Sequence, residues 1–228
     1  MFTLNNPPPQ IEPALLALLA QAEPATIGHF LDFGFVDPSI RALWAVPRIV
    51  GTAVTVRCAG TDSTIVHYAL GQVRPGDVLV IDRAGDGRHA AVGGGVAFAA
   101  RAARAAGIIV DGVATDIGEI RDYQFPVWAR GLSTITTRRL FQQGEFCVPV
   151  SIGGVPVHPG DAILGDENGV LVLPPAAAGE AAQRAIRMQA EAEPRLAEIA
   201  KGAKLPDLNG TNERLRAIMA AQADSHRG

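Results

Sequence analysis

The sequence predicts an α/β protein built on a parallel sheet, and three observations carry that prediction. Residues 78–81 and 108–110 are short, continuous apolar runs, the pattern expected of strands covered on both faces. Between them Gly93-Gly94-Gly95 opens an alanine-rich helical stretch over 96–106, with Gly107 as its expected stop. A helix over 117–123 and a strand over 127–129 extend the alternation, which implies right-handed crossovers and parallel pairing.

The flanking elements follow from local chemistry. Residues 11–21 read as a helix with Pro13 in the first turn, where a missing N–H costs nothing. A short helix is expected over 26–33, ending near Gly34, and 38–47 show no clean period. The β-branched run 48–57 reads as a strand and 64–70 as a helix. After Gly144 the pattern turns β-rich, with strands over 147–152, 155–157, 162–164 and 170–173 between Gly, Pro, Asp and Asn turns. Residues 176–201 form a long helix in which Pro194 marks a kink or break. Beyond Gly202 the tail is polar and reads as an arm over a neighbour or as mobile chain. One domain over 1–228 is expected, with a core at about 25–174 and a helical arm over 176–202.

Composition narrows the function. The 48% apolar and 19% charged fractions fit an ordinary globular protein, and a net charge of −3 leaves no basic footprint for nucleic acid. Cys58 and Cys147 are too few for a disulfide framework and lack the paired spacing of a zinc site. The apolar run 14–20 is too short to span a bilayer, and the first ten residues lack a basic, then apolar leader. No nucleic acid, no membrane and a cytoplasmic location are the expectations.

Several residues have the chemistry for a site. Gly93, Gly94 and Gly95 open a helix whose free N–H groups suit a carboxylate or phosphate, although glycines there also simply permit close packing. Asp116 follows a buried strand, a position where α/β sheets gather ligands, and one carboxylate with waters is a usual way to hold Mg²⁺. The competing reading is a helix cap, because Asp116 and Glu119 have capping-box spacing. His67 is a candidate acid/base or supporting donor, or a hydrogen-bonded core histidine. Arg83, Arg88 and Arg121 are the cations near the proposed cleft. Lys201 and Lys204 are the only lysines and neither lies in the central core, so a Schiff-base lyase is not expected and a carbon–carbon lyase would need a metal.

The segments 76–82, 93–100 and 107–116, followed by Phe125-Pro126-Val127-Trp128, Val148-Pro149-Val150, Gly153-Gly154-Val155 and Pro159-Gly160-Asp161, resemble the RraA-like family in order and spacing. The resemblance implies a β/β/α swivelling-domain fold with a C-terminal helical arm, assembled as a homotrimer or hexamer with active sites between subunits. Its aldolase members use Mg²⁺ or Mn²⁺ to cleave 4-hydroxy-2-oxo acids and decarboxylate oxaloacetate. RraA proper is a regulator that binds a ribonuclease. The aldolase signature is an Asp, twenty residues, then Arg-Asp, and the matching positions here are Gly94, Thr115 and Asp116. Only the metal-binding Asp is kept. The resemblance assigns substrate binding to Gly93, Gly94, Gly95, Val96 and Thr115, and metal to Asp116 with Glu191 or Glu193 reaching over from the next subunit. Arg88, with Gly85 and Gly87 as hinges, is the expected replacement for the lost arginine, and His67 a supporting residue.

Overall fold

The computed structural model describes residues 1–225. In chain order the elements are β1 (Phe2–Leu4), α1 (Pro13–Leu19), α2 (Pro24–Ile27), β2 (Arg41–Ala42), β3 (Ile49–Arg57), α3 (Thr64–Leu70) and β4 (Asp77–Asp82). Then come α4 (Gly94–Ala102), β5 (Gly107–Ala114), α5 (Ile117–Asp122) and β6 (Val127–Leu132). The second half holds β7 (Gly144–Phe146), β8 (Val150–Ile152), β9 (Val155–Val157), β10 (Ala162–Gly165) and β11 (Val170–Leu173). It closes with α6 (Pro175–Ala200), α7 (Leu205–Leu208) and α8 (Thr211–Ser225).

Strands β3, β4, β5 and β6 pair in parallel and in sequence order, as the alternation predicts. The sheet path among the described residues is β1-β7-β3-β4-β5-β6-β2, with β10 and β11 joined to β3 off that path and β8-β9 a separate hairpin. Both faces of the parallel core are covered. Val54, Val56, Leu79, Ile81, Ile108 and Val110 pack with residues of α3, α4 and α5 on one side. Ala53, Val78, Val80, Ile109 and Trp128 pack with β8 to β11 residues on the other. Neighbours along one strand therefore serve opposite cores, which is why these runs are apolar throughout and do not alternate. Each fully buried Ile or Leu side chain contributes roughly 1.5–3 kcal/mol of transfer free energy. The result is the expected three-layer arrangement of β-hairpins, sheet and helices.

Several boundaries depart from the sequence reading. Helix α4 stops at Ala102, not at residue 106, because Arg104 adopts φ 60° and Ala106 donates its N–H to the Asp77 carbonyl. Gly107 starts β5, where a Cβ would meet the Ile49 side chain and the Pro126 carbonyl. β5 runs on to Ala114 through a register shift between Val110 and Val113. The helix expected over 26–33 is the single turn of α2, and the strand expected from 147 begins only at Val150, Cys147 lying at φ 53°. Pro194 lies inside α6 without ending it. The polar tail is helical over α7 and α8. β1, β2 and β7 are too short for a periodic signal.

By its contacts the chain divides at about residue 183. The first unit holds the sheet and both cores. The second comprises the remainder of α6 with α7 and α8, where Leu205, Leu208, Leu215, Ile218 and Met219 are exposed.

Candidate active site

The loops that leave the carboxyl ends of β3, β4, β5 and β6 meet at one edge of the sheet. Residues 133–140 cross that edge and tie the loops together. Ser133 N–H donates to the Ala114 carbonyl, Ala90 N–H to Ile135, Arg138 N–H to Thr61 and Ser63 N–H to Arg138. Two acids set the neighbouring turns. Asp62 is buried and accepts from the Thr64, Leu140, Gln142 and Gln143 N–H groups and from the Thr64 hydroxyl. Burial pushes its carboxyl up, but these donors outweigh burial and hold it far below the carboxylate range.

Asp86 accepts from Arg88 N–H at 2.8 Å and His89 N–H at 3.0 Å, and pairs with the His89 ring and Arg83. Burial again opposes these partners and again loses, leaving Asp86 at about 2. Arg83 is fully buried and also donates to the Cys58 and Gly60 carbonyls. It pins the β4–α4 turn from beneath. Arg88 is exposed on the same turn, and its backbone is fixed by Asp86.

At the ends of β5 and α4 the situation differs. Asp116 is exposed at φ 55°. Its Oδ2 accepts the Gly94 N–H at 3.0 Å and its Oδ1 accepts the Thr115 hydroxyl at 3.2 Å. It makes no side-chain cap bond to α5, so the capping-box expectation is corrected. The left-handed backbone turns the carboxylate towards the start of α4, away from its own helix.

The triple glycine gains a physical reason. Gly93 is extended, so its need is space: a Cβ there would lie 2.6 Å from Asp116 Oδ2 and 2.9 Å from Thr115 Cγ2. A Cβ on Gly94 would land on the Glu119 carboxylate. Two carboxylates thus sit against the first turn of α4, and each has displaced a side chain. Gly94 gives its N–H to Asp116, while the Gly95 and Val96 N–H groups have no partner among the described residues.

Sequence spacing assigns Glu119 only to a cap, and its place against Gly94 emerges from the structure alone. Its Oε2 accepts the Tyr123 hydroxyl at 3.3 Å. The Tyr123 ring packs edge-on against Phe98 of α4, centroids 5.2 Å apart. The usable signal was the pairing of a glycine at 94 with acids at both 116 and 119. Beside these residues lies an open cleft of about 470 Å³ lined by Thr115, Asp116, Ile117, Leu132, Ser133 and Thr134.

His67 is exposed on α3, where burial and the nearby Arg139 charge both lower its pKa. Glu191 and Glu193 are exposed on α6, in the second unit. Among the described residues no three His, Cys, Asp or Glu side chains converge as a ready metal cage. Asp116 still fits a cation held mainly by water and substrate: it is exposed, accepts only one N–H and one hydroxyl, and keeps lone pairs free.

Known proteins give the family. The RraA-like family model, described as Aldolase/RraA, matches residues 28–172. The chain belongs to the RraA-like family. A protein of Halalkalibacterium halodurans provisionally named a 4-hydroxy-4-methyl-2-oxoglutarate aldolase is 39% identical over 157 residues, 69% of this chain and 74% of that one. The RNA-processing inhibitor RraA of Thermus thermophilus has a TM-score of 0.57 at 30% identity, over 61% of this chain and 84% of its own. RraAS2 of Streptomyces coelicolor, an unusual member of the RNase ES inhibitor RraA family, has a TM-score of 0.72 at 25% identity, over 82% and 98%. The RraA-like family thus contains proteins named as aldolases and proteins named as ribonuclease inhibitors. Among the described residues no helix is long and apolar enough to cross a membrane.

Proposed function

We propose that this RraA-like protein is a divalent-metal-dependent carbon–carbon lyase of the aldolase/decarboxylase type, acting on a small 2-oxo acid with Mg²⁺ or Mn²⁺. One observation carries the reading: the Glu119 carboxylate occupies the space over Gly94 where the family's signature acid would project. The acid absent from position 94 is supplied from α5, three residues after Asp116. Glu119 is exposed there, so the carboxylate is open to the cleft side and to solvent-borne substrate.

Each residue then has a task. Asp116 would hold the metal, which supplies Lewis-acid stabilisation of the negative charge that develops on the 2-oxo acid. The Gly95 and Val96 N–H groups at the positive end of α4 would orient the substrate carboxylate. Glu119 would take the proton from the 4-hydroxyl in aldol cleavage, a step typically worth about 10²- to 10⁴-fold. Thr115 orients Asp116 through its hydroxyl and lines the cleft, but carries no charge. Arg88 is our candidate replacement for the family arginine, with its turn held by Asp86 and its side chain exposed. Glu191, or Glu193, would reach the metal from the next subunit of a trimer or hexamer, and His67 would support the edge. The working compartment on this reading is the cytoplasm.

Steady-state assays of oxaloacetate and a 4-hydroxy-2-oxo acid with Mg²⁺ and Mn²⁺ test the proposal. We expect both to turn over above the free-metal background. Neither doing so would favour the alternative suggested by the inhibitor relatives, a non-catalytic protein-binding regulator. An Arg88→Ala variant with unaltered kcat/KM would remove only that residue's assignment.

A further inference from the structure

We infer that Tyr123 is a positioning residue for aldol cleavage, holding the Glu119 carboxylate over Gly94 through its hydroxyl. The inference rests on the proposed role of Glu119 as proton acceptor and goes one residue further.

A glutamate on the first turn and a half of a short exposed helix has several rotamers open to it, and settling into one costs side-chain entropy. Gly94 provides room for the carboxylate but offers it no bond, because the Gly94 N–H is given to Asp116. The Tyr123 hydroxyl, 3.3 Å from Glu119 Oε2, supplies the directional contact. A phenol can hold that position because its ring is itself fixed. It packs edge-on to Phe98, whose helix also carries Gly93 and Gly94 at its start. The chain of contacts therefore runs from α4 through Phe98 and Tyr123 to Glu119, and back to α4 at Gly94. Partial burial raises the phenol's pKa, and Glu119, Asp122 and Asp116 raise it further, so the hydroxyl keeps its proton and remains a donor. An ordinary surface pair at this i, i+4 spacing would have neither the ring clamp nor the glycine seat.

The role predicts a separation between two reactions of one site. Cleavage of a 4-hydroxy-2-oxo acid needs Glu119 in place, whereas oxaloacetate decarboxylation needs no proton acceptor from the protein. Tyr123→Phe removes the hydroxyl and keeps the ring against Phe98, so the melting temperature should stay within about 2 °C, as usual for a surface substitution. We expect kcat for aldol cleavage to fall about tenfold, a fraction of the usual acid/base contribution. KM and the decarboxylation rate should stay within about twofold of wild type. Phe98→Ala, which frees the ring but keeps the hydroxyl, should give a smaller fall of the same kind. If Tyr123→Phe lowers both reactions equally, or neither, Tyr123 is a structural residue and the inference is wrong while the lyase reading stands. If the wild-type protein catalyses neither reaction, both readings fail together.

Discussion

Asp62 and Asp116 are both carboxylates in loops that follow parallel strands at the same edge of the sheet, yet the fold treats them in opposite ways. Asp62 is buried and meets five donors, four backbone N–H groups and one hydroxyl. Asp116 is exposed and meets one backbone N–H and one hydroxyl. A buried charge must be satisfied almost completely, and the donors that do so are the backbone of the loops it organises. An acid that is to bind something else must keep lone pairs free and stay near water. Saturation marks a carboxylate that builds the site, and incomplete saturation marks one available to work in it.

The largest expected effect tests the first half of that contrast. Asp62→Ala leaves four backbone N–H groups and one hydroxyl without their acceptor, and should destabilise the protein by roughly 1–3 kcal/mol. A urea titration followed by circular dichroism would show it, and a loss below about 1 kcal/mol would remove the structural role given to Asp62. Asp116→Ala is the reciprocal experiment. Stability should change by less than about 1 kcal/mol, as for an exposed side chain, while calorimetric Mg²⁺ binding disappears. Retention of that binding would move the metal away from Asp116.

Gly94→Ala sharpens the contrast from the neighbouring helix. The new methyl would land on Glu119 Oε2, the far end of a flexible side chain, so the carboxylate must swing aside while the fold holds. Aldol cleavage should fall about 10- to 100-fold, within the range of a lost acid/base residue, with Mg²⁺ affinity unchanged. Unaltered aldol kinetics would show that the seat over Gly94 has no catalytic meaning.

The smallest effect is on pH stability. Asp62 and Asp86 both titrate below the usual carboxylate range, Asp86 at about 2. Their stabilisation is complete above the unfolded value near 4 and is lost as pH falls through the folded values. Urea midpoints should therefore be level from about pH 5 to 7 and drop between about pH 4 and 2. Asp86→Asn should flatten part of that drop, and a wild-type curve without it would contradict the depressed values.

The parallel core was legible in residues 78–81 and 108–110, because burial on both faces leaves a continuous apolar run that survives in one dimension. The exact spans of α3, β9 and β11 were legible too, bounded by turn residues on each side. The contact between the triple glycine and Asp116 was legible only as two candidate segments, Gly93 to Gly95 and Asp116, named from residue type and position. What each group does there was not. Asp116 and Glu119 have capping spacing, and nothing local says that Asp116 will adopt φ 55° and face another helix.

The sequence by itself determined the alternating strands and helices of the parallel core, its continuous apolar runs and the acids available for chemistry. These depend on periodicity and residue type, which are properties of the chain. Only the tertiary structure decided that Gly93 and Gly94 are the seats of two carboxylates, that Tyr123 reaches one of them, and that Asp62 and Asp86 are spent on holding loops. Those facts depend on close approach between segments 20 to 80 residues apart, such as Gly94 with Asp116 and Asp62 with Gln142. Packing brings such segments together, and a side chain's free volume and remaining lone pairs exist only once it has done so.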